Sequence, residues 1–344
     1  MEMRIYPVTW ALARPFGISR GVRSQVQNVI VELHQDGRVG IGEAAPNARY
    51  GESQSSAIAF LESLDLRGFE LPEDLDRALD YVNAHAPGEF AAKAAVDIAL
   101  HDLWAQLQGL PLYRLWGLNP RSTLQTSFTI GIDTPEVIEE KVREAERFPI
   151  LKVKLGTPYD EEIIRTIRRL TDRTLRVDAN EGWERKEALE KICWLADQNV
   201  ELVEQPLPAG RWEDQLWLQE RSPLPIVADE SVQRPEDVAR AAEAFDGINV
   251  KLMKCGGLRE ARRLIQAARQ RGLRVMIGCM LESAVAATAG ALLTPLADWA
   301  DLDGPLLLAQ DLFEGVQVTQ AAYLRLPEGP GLGVRRRPEF PWPP

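Results

Sequence analysis

A regular alternation of strand-like and helix-like segments begins near residue 123 and limits the folds open to this chain. Eight short apolar runs recur, namely QTSFTIG, LKVKLG, LRVDAN, VELVEQP, PIVADES, GINVKLMK, RVMIGCM and DWADLDG. Marker residues in successive runs are 24, 26, 25, 22, 27 and 23 positions apart, the markers being Lys154, Asp178, Glu204, Asp229, Lys251, Gly278 and Asp301. A spacing this regular indicates one βα unit per repeat. Eight units predict a closed α/β barrel of the TIM type rather than an open doubly wound sheet, which often carries a Gly-rich dinucleotide turn.

The N-terminal part is organised differently, with strands first and helices after them. MRIYPVTW and QNVIVELHQDGRVGIGEAAP have strand character, the second as a hairpin turning at Asp36 and Gly37, and three helical segments follow up to about Gln108. After the eighth run the chain continues without a full helix. These features predict an N-terminal α+β capping domain over residues 1–118, a barrel over 119–315, and a tail over 316–344 that packs back on the capping domain.

Charge and cysteine content narrow the class of partner. The chain of 344 residues has 40 basic and 51 acidic residues, a net charge of −11, and no long basic run. This balance argues against nucleic acid or an anionic membrane as partner and favours a small-molecule substrate. The three cysteines form no CxxC motif, and no signal peptide or membrane-spanning run is evident, which predicts a cytoplasmic protein. The sequence leaves open whether the chain forms a homo-oligomer.

Charged side chains end nearly all of the predicted strands. In a barrel these ends converge on one mouth, so we expect the side chains to form one site. The residues concerned are Lys152 and Lys154, Asp178 and Asn180, Glu204, Asp229 and Glu230, Lys251, and Asp301 and Asp303. Three consecutive strands supply a hard all-oxygen set in Asp178, Glu204 and Asp229, which suits Mg²⁺. The alternative is that each acid is paired with a lysine across the barrel.

The lysines lie on two sides of this predicted metal site. Lys152 and Lys154 belong to the second strand, whereas Lys251 belongs to the sixth. Two bases that face each other across a carboxylate substrate can remove an α-proton from one face and return it on the other, as a racemase or epimerase does. Mg²⁺ would stabilise the enediolate. We expect Lys152 and the cation to lower the pKa of Lys154; Lys152 is a candidate for substrate binding or a structural partner of an acid.

The motifs KVK (152–154), VDAN (177–180), VEQP (203–206), ADES (228–231) and NVKLMKCGG (249–257) resemble those of the enolase superfamily, in its muconate-lactonising-enzyme-like subgroup, and specifically of dipeptide epimerases. The resemblance covers essentially the whole chain. It implies a (β/α)7β barrel, Mg²⁺ on the three carboxylates, and Lys154 and Lys251 as opposed acid/base catalysts. It also favours Asp229 over Glu230 and Lys251 over Lys254, choices that strand alternation alone leaves open.

Asp301 and Asp303 flank one leucine, so on a strand they share a face and repel each other unless a cation lies between them. The resemblance implies that this D-x-D motif binds the α-ammonium group of a dipeptide. Acylamino-acid racemases and succinylbenzoate synthases, the alternative enzymes, have no ammonium group to bind there. Two alternatives are that the motif is a strand-to-turn cap and that the whole chain is a non-catalytic dipeptide-binding barrel.

Specificity is expected to come from two capping-domain loops, residues 16–25 and 47–53, which resemble those of L-Ala-D/L-Glu epimerases of murein-peptide recycling. Arg20 and Arg23 are placed to form a bidentate pair with a substrate carboxylate. Alternatively, they pair only with Glu52 or phosphate. Ala284 stands where some Glu-specific members carry a lysine, so epimerisation of hydrophobic or cationic dipeptides stays open.

Overall fold

The computed structural model describes residues 1–340; residues 341–344, which the predicted tail includes, lie outside the described part. The chain begins with a three-stranded antiparallel sheet made of β1 (Glu2–Ile18), β2 (Gly21–Gln35) and β3 (Arg38–Ala44). Asp36 and Gly37 have φ values of 50° and 72°, as a two-residue hairpin turn requires, so the predicted turn is confirmed.

The first hairpin is longer than expected. Residues 16–25 were expected to form a loop, and this expectation is wrong, because Phe16 pairs with Arg23 and Ile18 with Gly21. This outer end of the hairpin reaches the barrel, where the amide of Ile132 donates to the carbonyl of Gly17 at 2.9 Å. Tertiary contact therefore extends the strands beyond their apolar segments.

The three predicted capping helices are confirmed, and a short fourth follows them. They are α1 (Gln54–Glu62), α2 (Leu75–His85), α3 (Phe90–Leu107) and α4 (Leu112–Leu115). The Ala-rich α3 is buried along most of its length against the sheet. The contact is close at Gly42, where a Cβ atom would overlap the carbonyl group of Ala95, so only glycine fits there.

Each of the eight predicted barrel runs contains a parallel strand. The strands β4 to β11 are Phe128–Ile130, Ile150–Lys154, Thr174–Asp178, Val200–Glu204, Ile226–Ala228, Gly247–Lys251, Arg274–Gly278 and Trp299–Asp301. They pair in sequence order, and Thr126 bridges to Ala300 beside the hydrogen bond from Ser127 N to Ala300 O at 3.2 Å. This contact brings the first and last strands together and closes the barrel.

Helices connect the strands in the predicted (β/α)7β order, which is confirmed. They are α5 (Pro135–Glu144), α6 (Asp160–Arg168), α7 (Arg185–Ala196), α8 (Trp212–Gln219), α9 (Val238–Ala244), α10 (Leu252–Cys255), α11 (Leu258–Gln270) and α12 (Ala284–Leu292), with α13 (Gly304–Leu307) after the last strand. No helix among residues 1–340 is long and apolar enough to cross a membrane.

The barrel interior has an apolar layer beneath a polar one. Leu202, Val227, Met276 and Trp299 form a separate buried cluster. Because side chains on a strand alternate with a period of two, residues two positions later, such as Glu204, face the same interior nearer the carboxyl ends. The apolar layer therefore closes the barrel below the charged residues.

The C-terminal segment returns to the capping domain. Two short pairings occur in it, β12 (Phe313–Glu314) with β15 (Arg335–Arg336) and β13 (Gln317–Val318) with β14 (Leu324–Arg325). The amide of Leu332 donates to Asp102 Oδ1 on α3 at 2.7 Å. The domain boundaries at residues 118 and 315 stay a prediction.

Candidate active site

A cavity of about 380 Å³ opens between the carboxyl ends of the barrel strands and the capping domain. Of the ten predicted site residues, all except Asp178 and Glu204 line it. Those two carboxylates contact its lysines from within the barrel. The barrel contributes Lys152, Lys154, Asp229, Lys251, Asp301 and Asp303, and the capping domain contributes Arg20 and Arg23.

Asp178, Glu204 and Asp229 converge, with one carboxylate oxygen from each within 4.8 Å of the others. All three are buried. Glu204 Oε1 accepts a hydrogen bond from Asn249 Nδ2 at 2.8 Å, whereas Glu204 Oε2 is buried with Lys152 Nζ at 2.7 Å as its partner. Three buried carboxylates that converge repel one another unless positive charge lies among them. The all-oxygen donor set and the convergence of the three carboxylates fit a hard divalent cation.

Lys152 lies at the centre of the carboxylates. Its Nζ is 2.7 Å from both Asp301 Oδ2 and Glu204 Oε2, and 3.3 Å from Asp178 Oδ2. Burial disfavours the ammonium ion, but the three negative charges outweigh burial and raise the pKa of Lys152 well above its ordinary value. Lys152 is therefore a permanent internal cation. Of the two roles considered for it, the structure contains the pairing with acids.

Lys154 and Lys251 approach the cavity from strands four positions apart in the eight-stranded sheet. Lys154 Nζ lies 2.6 Å from Asp178 Oδ2, and Lys251 Nζ lies 2.8 Å from Asp229 Oδ2. Burial lowers the pKa of Lys251, but the charges of Asp229 and Glu204 outweigh it and raise that pKa. Each lysine is thus ion-paired with a carboxylate of the predicted metal site.

Lys254 has a different environment from Lys251. Its side chain is fully buried, and its Nζ donates to both Asp229 Oδ1, at 2.6 Å, and three backbone carbonyls. Those carbonyls belong to Asp229, Val232 and Asn249. Lys254 does not line the cavity. An ammonium group with four acceptors and no access to the cavity cannot exchange a proton with a bound molecule.

Asp229 and Glu230 are neighbours with different partners. Asp229 accepts hydrogen bonds from Lys251 and Lys254, which outweigh burial and lower its pKa well below the usual range. Glu230 Oε1 accepts from Arg20 at 2.9 Å, while its other oxygen is buried without a hydrogen bond. Burial and the charges of Asp229 and Asp178 raise the pKa of Glu230 to about 7.

Asp301 and Asp303 are both buried in the cavity wall. Asp301 accepts hydrogen bonds from Ser127 Oγ at 2.8 Å and from Lys152 Nζ at 2.7 Å. Burial raises the pKa of Asp301, but the Lys152 charge and these bonds outweigh it, so the pKa is lowered. Asp303 accepts only from Thr129, through its amide at 2.6 Å and its hydroxyl. Burial and the Asp301 charge raise the pKa of Asp303 to about 7.

The arginines of the capping domain are not equivalent. Arg20 donates to the carbonyl of Asn180 at 2.9 Å, to Glu181 at 3.2 Å and to Glu230 at 2.9 Å. Arg23 lines the cavity and has no hydrogen bond or ion pair with any residue of the described chain. Glu52 instead caps α3, accepting from the amide of Phe90 at 2.5 Å. The structure does not bring Arg20 and Arg23 together as two free guanidinium groups.

Two family models together match most of the chain. "Mandelate racemase / muconate lactonizing enzyme, N-terminal domain" matches residues 1–117, and "Enolase C-terminal domain-like" matches residues 136–340. This chain belongs to the mandelate racemase/muconate lactonizing enzyme family. The predicted membership of the enolase superfamily is confirmed, since this family is part of it.

Relatives within the mandelate racemase/muconate lactonizing enzyme family are similar over their full length. An L-Ala-D/L-Glu epimerase of Bacteroides thetaiotaomicron is 45% identical, covering 98% of this chain and 88% of that protein. An L-Ala-D/L-amino acid epimerase of Pedosphaera parvula is 41% identical, covering 98% and 100%. Among solved structures, a dipeptide epimerase of Cytophaga hutchinsonii complexed with Mg and D-Ala-L-Val is 31% identical, with a TM-score of 0.92, covering 98% and 96%.

Several residues of this family member's site were missed by sequence reasoning. Asn249 holds Glu204, Ser127 holds Asp301, and Arg49 contacts the barrel through Glu181. Asn249 precedes Lys251 by two positions on one strand, so the strand period could have placed it in the interior. Ser127 and Arg49 contact partners that are 174 and 132 positions away, and no local pattern signals such pairs.

Proposed function

We propose that this chain is a Mg²⁺-dependent dipeptide epimerase that inverts the α-carbon of the C-terminal residue, with L-Ala-L-Glu and L-Ala-D-Glu as the expected substrate pair. One observation carries the proposal: Lys154 and Lys251 face one cavity from opposite sides of the barrel, above a cluster of three carboxylates. Relatives named as dipeptide epimerases over the full length of the chain support it.

Asp178, Glu204 and Asp229 are the residues proposed to hold Mg²⁺. Their burial and their convergence within 4.8 Å support this assignment. When bound, the ion supplies positive charge that stabilises negative charge developing on the substrate carboxylate as the α-proton leaves. Lys152 adds a fixed positive charge on the cavity wall, and we propose that it also helps to bind the substrate carboxylate.

Proton transfer is assigned to the two lysines. With one epimer bound, Lys154 is assigned to take the α-proton from one face, and the ammonium of Lys251 to return a proton to the opposite face. In the reverse direction the roles exchange. The charges of Asp229 and Glu204 raise the pKa of Lys251, so it is held as an ammonium group in its ion pair with Asp229. Lys254, with four acceptors, is assigned to hold Asp229 in place.

Asp301 and Asp303 are proposed to bind the substrate's α-ammonium group. Asp303 Oδ2 accepts only from Thr129, so this carboxylate keeps acceptor capacity toward the cavity. Binding an ammonium ion there would offset the repulsion between the two aspartates. N-acylamino acid racemase and o-succinylbenzoate synthase activities are disfavoured, because their substrates would leave the buried carboxylate of Asp303 without a cationic partner.

The second residue of the dipeptide is less narrowly defined. Arg23 is a cavity-lining guanidinium without a hydrogen bond or ion pair to residues 1–340, which supports a substrate with a side-chain carboxylate such as glutamate. The same cavity also has apolar lining residues, Phe16, Ile18, Val22, Val26 and Leu281. This lining favours, as the second candidate, epimerisation of hydrophobic dipeptides. A role in recycling of murein peptides in the cytoplasm follows from the first candidate, and the three free thiols fit a reducing compartment.

Deuterium exchange tests the proposal. L-Ala-L-Glu and L-Ala-D-Glu are incubated with the protein and Mg²⁺ in D2O, and the α-proton of the C-terminal residue is followed by NMR. We expect its loss together with interconversion of the epimers. A panel with hydrophobic and cationic C-terminal residues runs alongside. Exchange with hydrophobic dipeptides alone would keep the class and replace the glutamate assignment, while no exchange with any dipeptide would overturn the proposal.

A further inference from the structure

The turn that follows β6 has an unusual backbone. Asn180 and Glu181 have φ values of 45° and 67°, so two consecutive non-glycine residues adopt the left-handed conformation. Such a conformation costs of order 1–3 kcal/mol per residue and persists only where surrounding contacts fix it. Here it directs the carbonyl of Asn180 and the carboxylate of Glu181 toward the capping domain, where both accept hydrogen bonds.

Two separate capping segments meet this turn. From the first hairpin, Ser19 Oγ and Arg20 Nη1 donate to Asn180 O at 3.1 and 2.9 Å, and Arg20 also reaches Glu181. From the turn at Ala48–Tyr50, Arg49 forms a bidentate pair with Glu181, with both N–O distances 2.7 Å. The hairpin and the 48–51 turn both line the cavity, so both of its capping-domain walls are attached to one acidic side chain.

Glu181 is itself fixed to the barrel. Its Oε1 accepts from the amide of Ala209 at 2.7 Å, in the segment after β7. The side chain is only 11% exposed, and those of its arginine partners are 32% and 35% exposed. Hydrogen bonds between charged groups in such a partly buried, bidentate geometry are stronger and more directional than those of an exposed pair.

We propose that Glu181 is a positioning residue that holds the hairpin and the 48–51 turn together over the cavity, and that it keeps Arg20 and Arg49 away from the substrate. Of the three arginines that line the cavity, Arg23 then stays free to contact an anionic side chain of the substrate. Loss of the Glu181 charge releases Arg49 and leaves Arg20 held by Asn180 and Glu230 alone, so both capping walls loosen. The closure part of the inference is independent of the proposed function, whereas its effect on substrate rests on that function.

Amide hydrogen exchange of the ligand-free protein tests the closure. The variant is Glu181→Gln, which keeps size and one acceptor but removes the charge. The matched control is Glu190→Gln, the same change at an exposed position of α7. We expect exchange of amides in residues 17–23 and 48–51 to quicken on the order of tenfold in Glu181→Gln alone, with β5 to β9 unchanged. Arg49→Gln should quicken residues 48–51 more than residues 17–23.

Kinetics with the dipeptide substrate test the second part. For Glu181→Gln we expect KM to rise about tenfold with a smaller change in kcat, since the proton-transfer lysines are untouched. A general loss of folding would instead quicken exchange throughout the barrel. If the amides of both capping segments exchange no faster in Glu181→Gln than in Glu190→Gln, the inference is overturned. Faster exchange in a protein whose wild type exchanges no dipeptide α-proton would keep the closure and overturn only the proposed function.

Discussion

Lys152 Nζ lies 2.7 Å from Asp301 Oδ2 and equally close to Glu204 Oε2, so one buried ammonium joins the last barrel strand to the acidic cluster. From the sequence, the cation between Asp301 and Asp303 was expected to be the α-ammonium group of the substrate. For Asp301 the chain supplies that cation itself in Lys152, whereas Asp303 has, among residues 1–340, only the amide and hydroxyl of Thr129 as donors. The substrate ammonium is therefore needed chiefly at Asp303.

Asp303→Asn should weaken dipeptide turnover without unfolding the protein. The amide oxygen still accepts from Thr129, but the charge is lost. A hydrogen bond to a charged group is worth about 1.5–3 kcal/mol, so we expect kcat/KM to fall about 10- to 100-fold, mainly through KM. Steady-state kinetics with the free and the N-acetylated dipeptide measure this. Since the acetylated form has no ammonium, its slow turnover should change little, and an equal fall for both would contradict the role of Asp303.

The pH dependence of kcat/KM in the wild type should also report the titration of Asp303. The pKa of Asp303 is raised from 3.8 to about 7, so its carboxyl gains a proton as the pH falls through about 7. The neutral acid attracts an ammonium ion weakly, and kcat/KM should therefore decline on the acidic side of pH 7. In Asp303→Asn this acidic limb should be reduced. A limb of identical size and midpoint in the variant would assign it to another group.

Lys152→Met should make folding depend on Mg²⁺. Removing one member of a buried charge cluster typically costs about 3–5 kcal/mol, here because Asp301, Glu204 and Asp178 lose their shared cation. A divalent cation that binds only the native state restores stability by mass action. Thermal unfolding in EDTA and in Mg²⁺ should show a lowered Tm in EDTA and a larger Mg²⁺ increment than in wild type. Lys186→Met, an exposed control on α7, should have the Tm of the wild type. If Lys152→Met also had the wild-type Tm in EDTA, the stabilising role of Lys152 would be refuted.

The barrel could be predicted because its signal is local and repeated. The strands from Ile150–Lys154 to Trp299–Asp301 have apolar cores at a regular interval and, except for Arg274–Gly278, a charged residue at or directly after the end, and each such unit must pack beside the next. Convergence of Asp178, Glu204 and Asp229 follows from that geometry alone. Convergence does not by itself assign roles, and the roles of the individual side chains stay predictions.

Other features depend on distant contacts that no local pattern contains. Strand alternation could not separate Lys251 from Lys254, because Lys254 lies beyond the strand, in the short helix α10. The direction of its side chain follows from the four acceptors of its Nζ. Arg20 was expected to bind substrate, yet its partners Glu181 and Glu230 are 161 and 210 positions away. The hairpin end at residues 16–23 likewise forms against Ile132 of the barrel.

Lys154 and Lys251 are proposed to share one reaction, and α-proton exchange in the two single-lysine variants tests whether both are needed. Lys154→Ala and Lys251→Ala are each incubated with L-Ala-L-Glu and with L-Ala-D-Glu in D2O and Mg²⁺, and the α-proton is followed by NMR. We expect epimerisation to fall on the order of 10³-fold or more in both, because one face loses its acid/base group. The remaining lysine should still exchange the α-proton of one epimer, a different epimer in each variant. Two-way epimerisation at the wild-type rate in both variants would contradict the two-lysine account.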